Sequence, residues 1–227
     1  MKIAAALEKA QIRYNVFAPR GLCSNRIFPF DGGPRELFAD LFNDFDAIIA
    51  VMAVGIVVRS TAPLITNKKT DPAVVVVDDL GKYAISLISG HTRGANRLAN
   101  MIAREIGAMP VITTATELLG KKSVEDIAEE YKLVIANFES LTPVNSAIVN
   151  EDRILVAIIG DIVRPRIENT DLKYISNIDQ LKEIMKNYDV AIVLSPTMPP
   201  LEDLTKPVAI LIRKPSLLSP ERKSDSL

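Results

Sequence analysis

The stretch that decides the fold is YAISLISGHTRGANRLANMIAREI, residues 83–106. Its first six residues predict a strand, and a loop with two glycines follows them. The apolar residues after the loop recur at the spacing that places them on one face of an amphipathic helix: Ala95, Leu98, Ala99, Ile102, Ala103 and Ile106. Gly107 then stands where helices commonly end. A strand joined to a helix by a short loop is the repeating unit of an α/β fold.

Similar signals continue on both sides of this stretch. Residues 2–10 predict a helix and residues 12–17 a short strand. The run Ala47–Val58 is apolar without a helical face, which predicts a buried parallel strand entering a turn. Other segments predict strands because they are rich in β-branched and apolar residues: 73–77, 110–112, 154–159, 190–194 and 208–212. Two more helices are predicted, one after the N-cap residue Ser123 and one over 177–188.

This alternation predicts an α/β fold with two small Rossmann-like domains and mainly parallel sheets. We place an N-terminal α/β domain at residues 1–120 and a second α/β domain at residues 121–216. The polar residues 217–227 are expected to form a loose tail.

Composition excludes several classes of protein. Hydrophobic residues make up 48% of the 227 residues, which is enough for a packed core. The net charge of −1 argues against a nucleic-acid partner, because such proteins usually show a basic excess. Cys23 is the only cysteine, so no intrachain disulfide forms and a reducing compartment is expected. No apolar run is long enough to span a bilayer, and no secretory signal is apparent. We therefore expect a soluble, cytoplasmic protein with no membrane partner.

The chemistry is expected where strands end, because ligands of open α/β sheets bind there. The segments that follow predicted strands in this way are 55–59, 78–79, 89–96 and 113–117. In the loop 89–96, Gly90 and Gly94 allow a ligand to approach the backbone, and the following helix N-terminus favours an anionic group. His91 is the only histidine of the chain, and histidine is the residue type that exchanges protons near neutral pH.

Simpler explanations stay open for each of these features. A glycine loop before a helix is often only a tight connection, and a lone histidine is more often a capping or surface residue. Taken alone, Arg59 is better explained as a structural ion-pair partner of Asp71 or Asp78. A serine-hydrolase triad is disfavoured, because Ser89-Gly90-His91 is not a nucleophile elbow. A nucleotide-binding protein is also disfavoured, because the chain has neither Gly-x-Gly-x-x-Gly nor a Walker-type Gly-Lys-Ser/Thr segment.

Four segments, taken in order, resemble signatures of the CbiG family of anaerobic cobalamin biosynthesis. They read MAVGIVVR at 52–59, KKTDPAVVVVD at 68–78, ISLISGHTRGAN at 85–96 and PVITTATE at 110–117. The similarity continues more weakly through VNSAIVN at 144–150, so that residues of roughly 30 to 215 are covered. Arg93 and Glu117 stand where the family usually has glycine and aspartate.

The resemblance implies an enzyme that hydrolyses the ring-A lactone of cobalt-precorrin-5A to cobalt-precorrin-5B and releases acetaldehyde. Cobalt would arrive within this corrinoid substrate, so neither a protein-held metal nor another cofactor is expected. Full-length members carry a further C-terminal region, and two explanations for its absence stay open: a separate protein supplies it, or the chain is a fragment. The alternative is a non-catalytic corrinoid-binding subunit that requires such a partner, and a homo-oligomer is left open.

Candidate roles follow from this resemblance. The substrate is fringed with carboxylates, for which Arg59, Lys68, Lys69 and Arg93 are candidate anchors. His91 is the candidate general base, and Asp71 or Asp78 would orient the base or a bound cation. Ser89, Thr113, Thr114 and the backbone N–H groups near Gly90 are candidates to stabilise the oxyanion. The remaining predicted contacts to the substrate are Gly90, Gly94, Asn96 and Thr116.

Overall fold

A computed structural model of the chain describes residues 2–23, 26–67, 70–200 and 204–214. The chain divides into two compact units, Met1–Thr114 and Ala115–Leu227. Both contain helices packed on a sheet whose strands are mainly parallel, so the predicted α/β class is confirmed. The domain ranges 1–120 and 121–216 stay predictions about units that fold independently. The predicted tail 217–227 lies outside the described residues.

The first unit contains a four-stranded sheet and a separate pair of short parallel strands, β1 and β2. Its elements are α1 (Lys2–Lys9), β1 (Phe17–Pro19), β2 (Phe28–Phe30), α2 (Pro34–Leu41), β3 (Ala47–Val51), α3 (Val54–Thr61), β4 (Ala73–Val77), β5 (Tyr83–Ile88), α4 (Ala95–Ile106) and β6 (Met109–Val111). The order in the larger sheet is β3-β4-β5-β6. Pairs β3–β4 and β5–β6 are parallel, whereas β4 and β5 are antiparallel.

The antiparallel pairing divides the predicted functional segments between two edges of this sheet. The carboxyl ends of β5 and β6 lie beside the amino ends of β3 and β4. The loop after β5 therefore lies near Asp46 and Asp71, which precede β3 and β4. Asp78 and Asp79 follow the carboxyl end of β4 at the opposite edge. The predicted segments that follow strands therefore lie at two edges of this sheet, because β5 and β6 run opposite to β3 and β4.

Both faces of the four-stranded sheet are buried. On one face, Val75 and Val77 pack with Ala99 and Ile102 of α4. On the other face, Val74 and Val76 pack with a cluster from α2, α3 and their neighbours that includes Phe38, Phe42 and Val57. Complete burial explains why β4 is a continuous run of β-branched residues without polar alternation.

Two predictions for this unit need correction. The strand predicted over Ala47–Val58 ends at Val51, and α3 occupies its second half. Val57, Ser60 and Thr61 form the buried face of α3, while apolar residues also cover its exposed side, so the sequence showed no helical period. The strand predicted over 12–17 begins only at Phe17. The helix over 95–106 and its left-handed end at Gly107 are confirmed.

The second unit contains a five-stranded sheet of order β7-β11-β10-β8-β9. Its elements are α5 (Ala115–Leu118), α6 (Val124–Glu130), β7 (Leu133–Ile135), α7 (Leu141–Asn150), β8 (Ile154–Ile159), β9 (Thr170–Ile175), α8 (Ile178–Ile184), β10 (Val190–Ser195) and β11 (Val208–Arg213). Only β7 is antiparallel to its neighbour, so the other four strands run in one direction.

This sheet also buries both faces. Val156, Ile192 and Leu211 pack with α6 and α7, and Leu155, Val193 and Ile210 pack with α8. The predicted strands at 154–159, 190–194 and 208–212 are confirmed, as is the N-cap at Ser123, whose hydroxyl accepts from the Asp126 N–H. Across the part of the chain that the structure describes, no helix is long and apolar enough to cross a membrane.

Candidate functional site

The loop after β5 is tied to the starts of two neighbouring strands. Ser89 adopts a left-handed backbone with φ 59°, and its hydroxyl donates to the Asp71 carbonyl at 3.2 Å. Arg93 Nη2 donates to Asp46 Oδ1 at 2.7 Å. Because Asp71 and Asp46 lie at the amino ends of β4 and β3, these contacts hold the loop over one edge of the sheet. We call Asp46, Asp71, the loop 89–94, Asn96 and Thr114 the loop edge.

Asn96 is the centre of the loop edge. It lies in the first turn of α4 with only 4% of its surface exposed. Its Oδ1 accepts from the Ser86 hydroxyl at 2.7 Å, and its Nδ2 donates to Thr114 Oγ1 at 3.0 Å. Its backbone N–H donates to the Gly90 carbonyl at 3.0 Å. One buried amide therefore links β5, the glycine loop and the segment after β6.

The two glycines of the loop serve different purposes. A Cβ atom at position 90 would lie 2.7 Å from Asn96 Oδ1, so glycine is required there by close approach. Gly94 has φ +81° and is the N-cap residue of α4, so glycine is required there by backbone conformation. Both glycines thus shape the loop itself, as the simpler explanation expected, while their backbone stays next to His91.

The hydrogen bonds of the Asn96 side chain leave the Thr114 hydroxyl with a hydrogen to donate. Asn96 Nδ2 is a donor, so Thr114 Oγ1 acts as the acceptor in their contact. Within the described residues, the hydroxyl hydrogen of half-buried Thr114 donates to no protein group. The Thr114 hydroxyl thus keeps a hydrogen that it can donate.

The Asp71 carboxylate is engaged by its own loop. It is buried, with 4% of the residue exposed, and it accepts from the Thr66 N–H at 3.0 Å, the Thr66 hydroxyl at 3.0 Å and the Asn67 N–H at 3.0 Å. These contacts fix the chain between α3 and β4. The described geometry thus makes Asp71 a support of the loop edge, through both its carboxylate and its carbonyl.

The structure brings some of the other predicted residues to the loop edge and leaves others elsewhere. His91 lies half-buried in the loop, and its carbonyl accepts from the Gly94 N–H at 3.1 Å. Thr113 is exposed beside Thr114, and Arg59 is exposed in the last turn of α3. Thr116 is buried in α5 of the second unit. Lys68 and Lys69 lie outside the described residues.

The sequence interpretation missed Asp46 of the loop edge and also Ser86, which donates to Asn96. Ser86 interrupts an otherwise apolar strand, and a polar residue in such a strand signals a buried hydrogen-bond partner. Asp46 gave no signal of its own, because its pairing with Arg93 requires β3 and the loop after β5 to meet. Among the described residues, no group of three or more histidine, cysteine or acidic side chains gathers closely enough to hold a metal ion.

The fold and the loop edge define a class: an α/β protein in which a buried amide network presents a histidine and hydroxyl groups at the edge of a sheet. Comparison with known proteins makes the class specific. Residues 36–117 match the family described as Cobalamin synthesis G N-terminal. This match covers about a third of the chain, and it spans the loop edge.

Two relatives share a name. The chain is 42% identical over 127 residues to the cobalt-precorrin-5A hydrolase of Priestia megaterium, covering 56% of this chain and 34% of that protein. It is 36% identical over 146 residues to the cobalt-precorrin-5A hydrolase of Salmonella typhimurium, covering 64% of this chain and 42% of that protein. The chain thus spans well under half the length of these relatives.

A solved structure also aligns with the chain. It is a cobalamin biosynthesis protein G homolog from Sulfolobus solfataricus, with a TM-score of 0.49 and 23% identity. The alignment covers 93% of this chain and 55% of that one.

Proposed function

We propose that this chain acts in cobalamin biosynthesis by hydrolysing the ring-A lactone of cobalt-precorrin-5A, with release of acetaldehyde. The observation that carries the proposal is the 42% identity over 127 residues to a cobalt-precorrin-5A hydrolase. The loop edge supplies groups that suit the reaction. The cobalt would come with the substrate, and the cytoplasm is the compartment we propose, since Cys23 is the only cysteine.

Lactone hydrolysis begins when water attacks the carbonyl carbon and its proton is taken up by a base. We assign that base to His91, because it is the only histidine of the chain and lies in the loop that the network holds in place. The ring C–O bond then breaks, leaving a carboxylate and an alcohol. The carbon–carbon bond that joins the alcohol carbon to the macrocycle breaks next: the hydroxyl proton is released as acetaldehyde forms, and the bonding electron pair stays with the macrocycle, which takes up a proton.

Attack on the carbonyl places negative charge on its oxygen, which needs hydrogen-bond donors. The Thr114 hydroxyl is our first candidate. Its oxygen already accepts a hydrogen bond from Asn96 Nδ2, so the hydroxyl hydrogen is left to donate. Exposed Thr113 and the backbone N–H groups near Gly90 are further candidates. Ser89 is a weaker one, since its hydroxyl already donates to the Asp71 carbonyl.

Carboxylates of the substrate require cationic partners. Arg93 has a replaceable partner, because the Asp46 side chain that it binds is 98% exposed and can turn away into water. We therefore propose that a substrate carboxylate displaces Asp46 from Arg93. Arg59, Lys68 and Lys69 remain proposed anchors. Asp71 remains a predicted catalytic residue. The contacts of its carboxylate with Thr66 and Asn67 support a role in fixing the loop between α3 and β4.

The alternative of a non-catalytic corrinoid-binding subunit is not favoured, because the relatives that match this chain are named as hydrolases. A single experiment separates the two. The purified chain is incubated with cobalt-precorrin-5A, acetaldehyde is trapped, and corrinoid binding is followed by absorbance. The full-length Priestia megaterium relative serves as the positive control. We expect acetaldehyde and the lactone-opened corrinoid from both proteins; binding by the chain without product would support the subunit instead.

A further inference from the structure

The side chain of Asn96 joins segments that surround its helix. Asparagine near the start of a helix commonly bonds to the free backbone N–H groups there. Here Asn96, in the first turn of α4, bonds through its side chain to Ser86 of β5 and to Thr114 after β6. Only 4% of the residue is exposed, and burying an amide costs free energy unless its polar atoms are bonded. The two contacts meet that requirement and tie β5 and the segment after β6 to α4.

The three side chains form a row of hydrogen bonds that runs in one direction. Ser86 Oγ donates to Asn96 Oδ1 at 2.7 Å, and Asn96 Nδ2 donates to Thr114 Oγ1 at 3.0 Å. An amide nitrogen donates and does not accept, so the hydrogen of the Thr114 hydroxyl has to point away from Asn96. The row therefore begins at a strand inside the sheet and ends at a half-buried hydroxyl that can donate once more.

The direction of the row depends on which end of the Asn96 amide faces Thr114. The backbone N–H of Asn96 donates to the Gly90 carbonyl at 3.0 Å, which fixes the residue beneath the glycine loop. The Ser86 hydroxyl occupies the oxygen end of the amide at 2.7 Å. If the amide turned through half a rotation, its oxygen would face Thr114 and take up the hydroxyl hydrogen. One buried amide thus decides whether Thr114 can donate to a ligand.

We propose that Asn96 is a positioning residue for the lactone hydrolysis. It holds the Thr114 hydroxyl with its hydrogen free, so that Thr114 donates to the oxyanion that forms when water attacks the lactone carbonyl. A donor that already points toward the developing charge needs no reorganisation during the reaction, which is why such donors accelerate it. Asn96 acts through Thr114 and does not itself contact the substrate. The inference rests on the proposed function and adds to it the residue that sets the direction of the donor.

Asn96→Asp tests the inference, because it keeps the shape of the side chain and reverses its hydrogen bond to Thr114. A carboxylate accepts from both neighbouring hydroxyl groups, so the Thr114 hydrogen turns toward it and is lost to the substrate. We expect kcat for acetaldehyde release from cobalt-precorrin-5A to fall roughly 100-fold, the loss typical of one oxyanion donor. KM should change by less than about threefold, because the donor acts in the transition state. An unchanged kcat in the folded variant would overturn the proposal.

Two further proteins separate positioning from a merely structural role. Asn100→Asp adds the same charge at an exposed position of the same helix and should change kcat by less than about twofold, because an exposed charge is screened. The double variant Asn96→Asp/Thr114→Val should be no more than about threefold slower than the slower single variant, since both changes remove the same donor. Full multiplication of the two losses would overturn the proposal, because it would show that Asn96 does not act through Thr114.

A measurement without substrate keeps this inference distinguishable from the proposed function. In nitrogen-15 NMR spectra of the whole chain, the side-chain NH2 signals of Asn96 should shift more in Thr114→Val, which removes their acceptor, than in Ser86→Ala. A larger shift in Ser86→Ala would reveal the reversed amide and overturn the inference alone. A wild-type chain that releases no acetaldehyde would instead overturn the proposed function, and the catalytic use of Thr114 with it.

Discussion

The two sheets of this protein present polar groups in different ways. In the first unit, one antiparallel strand pair gathers strand ends and strand starts at the loop edge, where Asn96 bonds three segments together. In the second unit, four strands run one way and end at a common edge. The comparison shows that one antiparallel pair brings strand ends beside strand starts, where a single buried residue can bond to several segments.

The largest expected effect concerns whether the two units are independent. Ile102 and Ile192 are fully buried, one in each unit, and replacing either with alanine should lower the free energy of unfolding by about 2–5 kcal/mol. Hydrogen exchange should show Ile102→Ala loosening residues 73–111 while leaving 154–212 protected, and Ile192→Ala doing the reverse. Matched Ile→Val changes should cost about 0.5–1.5 kcal/mol. Loss of protection in both units from either change would mean one cooperative domain.

A second comparison uses one glycine from each unit. Gly90→Ala places a Cβ atom 2.7 Å from buried Asn96 Oδ1, so we expect a loss of about 1–3 kcal/mol in unfolding free energy and displacement of the glycine loop. Gly160→Ala strains a backbone with φ +69° and meets Pro196 Cγ at 3.3 Å, with a cost of the same order, about 1–3 kcal/mol. Chemical denaturation measures both changes.

The two glycine variants should differ in what else they change. Gly90→Ala should shift the NMR signals of Ser86 and Thr114 through Asn96, whereas Gly160→Ala should leave them in place. Unchanged Ser86 and Thr114 signals in Gly90→Ala would show that the amide network does not depend on the loop.

Thr114→Val tests the polarity of the network. Valine has the shape of threonine but leaves Asn96 Nδ2 without its acceptor, which should lower the unfolding free energy by about 1–3 kcal/mol. Thr113→Val, at the exposed neighbouring position, should change it by less than about 0.5 kcal/mol. Urea denaturation measures both changes. Equal losses of unfolding free energy would show that the Asn96–Thr114 hydrogen bond does not stabilise the fold.

The smallest effect distinguishes the two edges of the first sheet. The backbone N–H of Tyr83, followed by that of Leu80, donates to the Asp78 carboxylate and lowers its pKa below the ordinary value of 3.8. A lowered pKa stabilises the fold fully above pH 3.8, and this contribution is lost as the pH falls through the lowered pKa. The stability difference between wild type and Asp78→Asn should therefore shrink over that acidic window. Asp79→Asn controls for the loss of a charge, and a constant difference for Asp78→Asn would contradict this assignment.

The elements that could be predicted from the sequence are those with a clear hydrophobic pattern of their own. The β-branched run 73–77 and the one-face spacing of 95–106 indicate their structures whatever surrounds them. By contrast, α3 has apolar residues on its exposed side, and β9 is an edge strand whose sequence TDLKYI is half polar, so neither shows a clear period. The direction of β5 depends on which neighbour it pairs with, and no local pattern encodes that choice.

The candidate site, too, could be predicted only where the sequence itself carries a signal. The loop 89–96 was found because glycines and a single histidine are visible in the sequence. The bonds from Asn96 to Ser86 and Thr114 join residues 10 and 18 positions apart, and they exist only once β5, β6 and α4 have packed.

The most direct test of the central claim is acetaldehyde release from cobalt-precorrin-5A by the wild-type chain and by His91→Ala. His91→Gln serves as a variant that keeps a polar side chain, and thermal unfolding confirms that all three proteins are folded. If His91 is the general base of the loop edge, both variants should release acetaldehyde at least ~100-fold more slowly while still binding the corrinoid. Release at the wild-type rate by folded His91→Ala would contradict the account.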